Sequence, residues 1–483
     1  MPEGPPPPRR RYVVAAVGCA AGMVSLDQTV VAVALDPMAR SLRLTTFMMH
    51  GVVLVYVLAL AAFVPVGGML ARRIGRLTTF RAGTAVFALA SGLCALAPPG
   101  DAAEPYLVAV RAVQGVGGAL MMPVATSVIT DVYEERARGR ALAVYAGLAQ
   151  LFLVLGPIVG AVLTQLLGWR SVFLVNLPVG AACLWMIARA RLSNRPGGGS
   201  LSVVQPLVVI FSLVVLILGL YQCGVWGFTD VRTLTALTIG AGAMVVAVRL
   251  ILMSRRPLLD LRLLCIRPYA VAVALTFLVQ GPQLILLVHG TVYLRQNMGF
   301  SLLATGTALL PLVAASAAGT FLSGYLLDRC RSVRVPVLLG LTAATVGAVA
   351  WTAVLPSHAY PWQVPAMLLA GVGMGLPVPA LSAELMRVVP PDKRADASVL
   401  RQSIRQLGGA VGLAAAGAVA LAANENSADE AGVITVAATS AAFVVASCLL
   451  ALTLPLAAAT LPRRAARTGG HGKAARRPGP PSP

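Results

Sequence analysis

Charge is what this chain has least of. Asp, Glu, Lys and Arg make up 11% of its 483 residues, against about a quarter in soluble proteins. It therefore lacks the means to cover itself with a water-facing surface. Lysine is almost missing: Lys393 and Lys473 are the only two, and neither completes the Gly-x-x-x-x-Gly-Lys-Ser/Thr loop that cradles nucleotide phosphates. Nucleotide-driven work is not expected on that ground. The seven cysteines show no Cys-x-x-Cys spacing and the four histidines no ligand spacing, so neither a disulfide framework nor a metal site is indicated. No nucleophile–base set is visible either, which speaks against an enzyme.

What is present is long apolar sequence. Mean hydropathy is +0.83, and many runs exceed the roughly 20 residues needed to cross hydrocarbon. Fourteen spans are expected, at 12–35, 45–70, 78–97, 105–130, 141–163, 172–190, 201–222, 234–253, 269–293, 302–327, 335–355, 362–388, 399–422 and 431–461. The longest loops, near 254–268 and 389–398, are too short for a soluble domain. The fold class is an all-α polytopic membrane protein. The net charge of +21 follows topology rather than nucleic acid. With the N-terminus inside, Arg40, Arg43, Arg170, Arg232 and Arg295 are the only external basic residues, as the positive-inside rule requires. Both termini then lie in the cytoplasm. Residues 1–11 read as a Pro/Arg-rich tail, and 462–483 as a disordered basic tail near anionic headgroups.

A faint repeat divides the middle. Gly68-Met-Leu-Ala-Arg72-Arg73-Ile-Gly75-Arg76 follows span 2, and Gly324-Tyr-Leu-Leu-Asp328-Arg329 follows span 10. Both read as basic turns between tightly packed hairpin helices, at matching places in two six-helix sets, and such repeats are typical of secondary transporters. The expected organisation is a six-helix half at 12–191, a linker with two extra helices at 192–268, and a second half at 269–461.

Two charges sit deep in this apolar chain, Asp27 in span 1 and Arg111 in span 4. Asp27 is eight residues, about 12 Å, from the expected outer end of span 1, and Arg111 six residues, about 9 Å, from that of span 4, at about 1.5 Å per residue. They match in depth and can face one cavity. An ion at that depth must be paired, neutralised or wet. Asp27 is the titrating member, because Arg keeps its proton. The alternative is a static pair that orients helices. Gln114, on the same face as Arg111, bonds either Arg111 or cargo, or serves as an inter-helix contact. Tyr56, Met121, Gln150, Gln280, Gln283, Tyr293, Gln296 and Arg405 are further cavity candidates.

Read together, the motifs resemble the fourteen-helix drug:proton antiporter family of the major facilitator superfamily. The resemblance rests on Leu26 to Met38, Gly68 to Arg76, Arg111-Ala-Val-Gln114-Gly115-Val-Gly117-Gly118, Gly156-Pro157-Ile-Val-Gly160-Ala161, Gly168 to Pro178, Pro257 to Arg262 and Arg405-Gln406-Leu-Gly408-Gly409. It implies two six-helix halves with two inserted helices, and alternating access. It also implies that Gly156, Pro157 and Gly160 seal the cavity against uniport leak. Where the family carries a latching acid, this chain has Arg72. Either the latch is swapped, Arg72 or Arg73 against Asp396 with Ser398 or Asp396 also capping the helix, or it is lost.

The expected function is a proton-coupled exporter of amphipathic organic compounds in a bacterial cell membrane, drawing on the proton gradient with no cofactor. Its expected partners are small-molecule cargo, protons and lipids, with no nucleic acid and no obligate protein partner. A symporter or facilitator on the same fold is the alternative, and a non-transporting scaffold or sensor a more distant one.

Overall fold

The computed structural model describes residues 8–133, 135–190, 192, 194, 203–254, 257–330, 332–390, 393–425 and 435–461. The C-terminal tail at 462–483 lies outside the described residues. Fourteen helices within them are long and apolar enough to cross a membrane.

The first six spans are α1 (Pro8–Leu42), α2 (Thr46–Ile74), α3 (Arg76–Ala95), α4 (Ala103–Val132), α5 (Glu135–Leu167) and the pair α6 (Ser171–Leu174) and α7 (Asn176–Arg189). Two more follow, α8 (Val204–Trp226) and α9 (Val231–Met253). The last six are α10 (Arg267–Gln296), the pair α11 (Leu302–Ala308) and α12 (Leu310–Cys330), α13 (Arg334–Val354), the pair α14 (Tyr360–Gly375) and α15 (Pro377–Val388), α16 (Arg394–Glu425) and α17 (Val436–Thr460).

Spans 6, 10 and 12 are each broken where one continuous helix was expected. Each break lies beside a proline in the first turn of the second piece: Pro178, Pro311 and Pro377. A proline ring clashes with the carbonyl of the preceding turn but suits a helix start. For the same reason α1 starts at Pro8, so residues 8–11 belong to the helix rather than to a tail.

The two six-span sets pack in parallel ways. α1 lies on α5 and α10 on α16, while α2 and α16 meet along the seam between the sets. α8 touches both sets. Its Tyr221 ring sits 4.5 Å from Phe47 of α2, and its Gly224 approaches the Ala418 backbone of α16. α9 packs mainly on α8 and leaves Val245, Val246 and Leu252 exposed, as a lipid-facing helix does.

The α1–α5 crossing is the tightest point near the deep charges. A Cβ on Gly156 would fall 1.7 Å from Thr29 Oγ1, and one on Gly160 would fall 3.0 Å from Val30 O. Two small residues four apart let the helix backbones meet, which is how membrane helices associate without a hydrophobic drive.

Candidate functional site

α1 and α4 bring Asp27 and Arg111 together. Arg111 Nη1 lies 2.8 Å from Asp27 Oδ2, and both side chains are fully buried. Gln114, one turn along α4, joins them: its Nε2 donates to Asp27 Oδ1 at 2.8 Å and its Oε1 accepts from Arg111 Nη1 at 2.7 Å. Arg111 Nε donates to Val52 O of α2 at 3.3 Å. The guanidinium lies over the Tyr56 ring, 4.3 Å from its centroid, with Phe173 at 5.7 Å. A cation desolvated between aromatic faces gains about 2 kcal/mol from them. Removing one member of such a buried pair leaves an uncompensated charge and costs about 3–5 kcal/mol.

The ends of α1 and α4 lie beyond those expected from hydropathy. α1 continues to Leu42 and α4 begins at Ala103. Polar residues such as Asp36 and Arg40 continue α1 beyond its apolar run, so the contact itself places the pair, not the count. Asp27 and Arg111 also do not face an open cavity here. The network is closed within the first six spans.

Several cavity candidates are packing residues instead. Tyr56 carries Arg111. Met121 is buried and accepts from Thr84 Oγ1 at 3.2 Å. Tyr293 is buried and donates to Leu355 O at 2.6 Å. Gln150 reaches across the seam between the two sets, while Arg405, Gln280 and Gln283 belong to helices of the second set. Gln150 Nε2 on α5 donates to Thr320 Oγ1 on α12 at 3.3 Å. Arg405 Nε on α16 donates to Gln280 Oε1 on α10 at 2.6 Å. Gln283 is half-buried on α10.

Two latches join the sets at opposite rims. At the rim rich in arginine, hereafter the basic rim, Arg72 Nη1 meets Asp396 Oδ1 at 3.1 Å, and Arg72 Nη2 donates to Leu258 O at 3.3 Å. Of the two arginines considered, Arg72 makes the contact. The capping role does not hold. α16 starts at Arg394, so Asp396 sits in its first turn and Ser398 inside the helix. Gly68 packs against Val399 beside the bridge, and Arg76 pairs with Asp131 at 2.6 Å. A cavity of about 760 Å3 opens here between α2, α4 and α16, lined by Arg72, Ser127, Asp131 and Asp396 among others.

Gly75 turns the chain between α2 and α3 at φ 93°, a value that suits only glycine. The second basic turn is different. Gly324 has open space around it, Asp328 is exposed, and Arg329 donates to Tyr325 Oη, one turn back, at 2.8 Å. Among the described residues this turn makes no ion pair with the first set.

At the far rim Asp36 of α1 is the hub. Arg295 Nε of α10 reaches its Oδ2 at 3.1 Å, Gln296 donates to its Oδ1 at 3.4 Å, and Arg40 lies 3.2 Å away. The helix 5 motif closes the same side. A Cβ on Gly306 of α11 would fall 2.5 Å from Pro157 O, which shows how closely α5 and α11 meet.

Sequence reasoning did not single out Asp36 or Arg295 as partners, because each falls just past the end of an expected span, where charge is ordinary. It also passed over Asn194, whose Nδ2 donates to Ile74 O at 2.6 Å and braces the Gly75 turn. Asn176 lies within the Gly168–Pro178 motif, and the motif alone gives it no role. Its Nδ2 donates to Ser91 Oγ at 2.9 Å, and Ser91 in turn bonds Phe173 O, which holds the break beside the aromatic face under Arg111.

With this geometry in place, comparison with known proteins agrees. The chain is 31% identical over 401 residues to the methylenomycin A resistance protein of Bacillus subtilis, covering 82% of this chain and 84% of that one. It is 29% identical over 411 residues to the multidrug resistance protein Stp of Mycobacterium tuberculosis, covering 84% and 74%. Among solved structures it resembles a D-xylose–proton symporter at a TM-score of 0.66 and 13% identity, covering 94% of this chain and 98% of that one, a likeness of fold. The profile of the Major Facilitator Superfamily matches residues 17–413, and this chain is a membrane transporter belonging to that superfamily.

Proposed function

We propose that the protein is a proton-coupled antiporter that exports amphipathic organic compounds by alternating access. In this reading it lies in the cell membrane with the basic rim and both termini in the cytoplasm, drives export with the proton gradient, and needs no bound cofactor. The relatives named for methylenomycin A and multidrug resistance support export, and the clustering of arginine at one rim supports the orientation.

The observation that carries the coupling is the Asp27 network. Asp27 is a fully buried carboxylate whose charge is balanced by Arg111 and which accepts a hydrogen bond from the Gln114 amide. Protonating it removes the attraction to Arg111 and frees α1 from α4. α1 also bears Asp36 of the far-rim latch and is locked to α5, whose Pro157 meets α11. The charge state of Asp27 thus acts on the helices that close the far rim, while Arg72–Asp396 holds the basic rim. A ligand that favours one closure over the other shifts the balance between them.

The test is uptake of resistance-type compounds into inside-out vesicles with and without a proton gradient, comparing wild type with Asp27→Asn. Wild type accumulates cargo when the lumen is acidic, and Asp27→Asn loses the gradient dependence. Normal proton-driven uptake by well-inserted Asp27→Asn would remove Asp27 from the coupling role. Gradient-driven movement in the opposite direction would establish symport.

A further inference from the structure

All three buried carboxylates among the described residues are paired: Asp27 with Arg111, Asp36 with Arg295, and Glu384 with Arg387. Two arginines in the membrane are not. Arg401 and Arg405 lie one turn apart on α16, so they share a face. They are about 10 and 16 Å along a span from Arg394 to Ala423, which puts Arg405 in its middle third. Neither makes an ion pair among the described residues. Arg405 Nε has only the neutral Gln280 Oε1 at 2.6 Å, and Arg401 Nε is buried without any partner. The two guanidiniums repel each other, and Tyr145 of α5, in the opposite set, is close enough to feel both.

Their surroundings are polar but uncharged, with an apolar side. Gln402 and Gln406 flank them on α16, each donating to Met122 Sδ of α4 at 3.4 Å. Gln150 crosses from α5 to Thr320 on the same seam. Arginine keeps its charge when buried, and an unpaired charge at such depth costs several kcal/mol. Two of them side by side, partly buried between the sets, have no counter-charge among the described residues, and a bound anion can supply one. A guanidinium fork matches a carboxylate in plane and spacing. Resting on the exporter reading, we propose that Arg401 and Arg405 form the head-group site for the cargo, and that this cargo is an amphipathic organic acid bound as its carboxylate. Its apolar body lies toward Met122.

The test uses three matched probes on the purified full-length chain in detergent: 1-naphthylacetate, its neutral amide 1-naphthylacetamide, and the cation 2-(1-naphthyl)ethylammonium. Equilibrium dialysis reads their affinities. Wild type binds the acid about tenfold more tightly than the amide, and the amine least. Arg401→Gln and Arg405→Gln each lose most of that preference, and Arg405→Lys keeps more of it than Arg405→Gln. Equal binding of acid and amide, or no binding of the acid, overturns the proposal on wild-type protein alone, whatever the variants do to folding. Retained preference in both well-behaved Gln variants overturns it too.

The same probes in inside-out vesicles separate the two readings. Arg-dependent acid binding with uptake indifferent to the proton gradient sinks the exporter reading and keeps this site. Proton-driven uptake of amide and amine that ignores both arginines does the reverse.

Discussion

Thr29 and Gly156 sit at a contact that tolerates no added atom. A Cβ at Gly156 would lie 1.7 Å from Thr29 Oγ1, whereas one at Gly147, on the same helix, meets nothing within 4 Å. Gly156→Ala is therefore expected to push α1 off α5 and lower the melting temperature of the purified protein by several degrees. Gly147→Ala should be neutral or slightly stabilising, because alanine gains about 0.5–1 kcal/mol over glycine within a helix. Adding Thr29→Ala should return part of the loss in Gly156→Ala. Equal melting of the two single variants would show that the crossing relaxes freely. The residue scale also shows what a sequence motif can conceal. In the sequence Gly156 and Gly160 stand only as parts of the helix 5 motif, and only the packed structure names Thr29 and Val30 as their partners.

At the scale of elements, the unusual residue of the α2–α3 turn finds a physical role. Arg72 stands where the resembled family carries an acid, and Asp396 supplies the opposite sign across the seam. The bridge is half-exposed, with side chains 46% and 40% accessible, so by itself it is worth about 1 kcal/mol or less. Its effect is on the balance between closures rather than on stability. Arg72→Asp and Asp396→Arg are each expected to reduce transport several-fold with little change in melting temperature. The double exchange should recover much of it in vesicle uptake. A double variant no better than either single one would mean that the two side chains are neighbours without coupling. The broken spans belong to this scale too. Pro178, Pro311 and Pro377 were all visible in the sequence, yet a proline inside a long apolar run kinks some helices and divides others. Here Pro37, Pro65 and Pro123 stay within continuous helices.

For the whole molecule, the two rims work against each other. The Asp36–Arg295 bridge and the α5–α11 contact close one side, and Arg72–Asp396 closes the other. Between the far-rim latch and the interior, His50 of α2 and His289 of α10 stack with ring centroids 4.7 Å apart, so the seam there is closed by side chains from both sets. Arg295→Gln is expected to raise the rate at which a cysteine at position 289 (His289→Cys) reacts with a membrane-impermeant maleimide applied from the far side, by several-fold. Asp396→Arg, which loosens the basic rim, should lower that rate or leave it unchanged. If Arg295→Gln does not change the labelling rate, the far-rim bridge has no part in closure.

Apolar run length and the one-sided distribution of arginine were enough to determine a fourteen-span membrane protein, because hydrocarbon leaves a helix few other ways to satisfy its backbone. The isolation of Asp27 and Arg111 in that apolar chain likewise marked the deep pair. Tertiary structure decided what each charge touches. It placed Asp36 against Arg295 and Arg72 against Asp396, and set Arg111 on Tyr56. It left Arg401 and Arg405 without an acid among the described residues. The reason is physical: depth and hydropathy are properties of one helix and can be counted along it. A charge's partner depends on how separate helices rotate and cross, and close contacts such as Gly156 on Thr29 set that crossing only once the chain has packed.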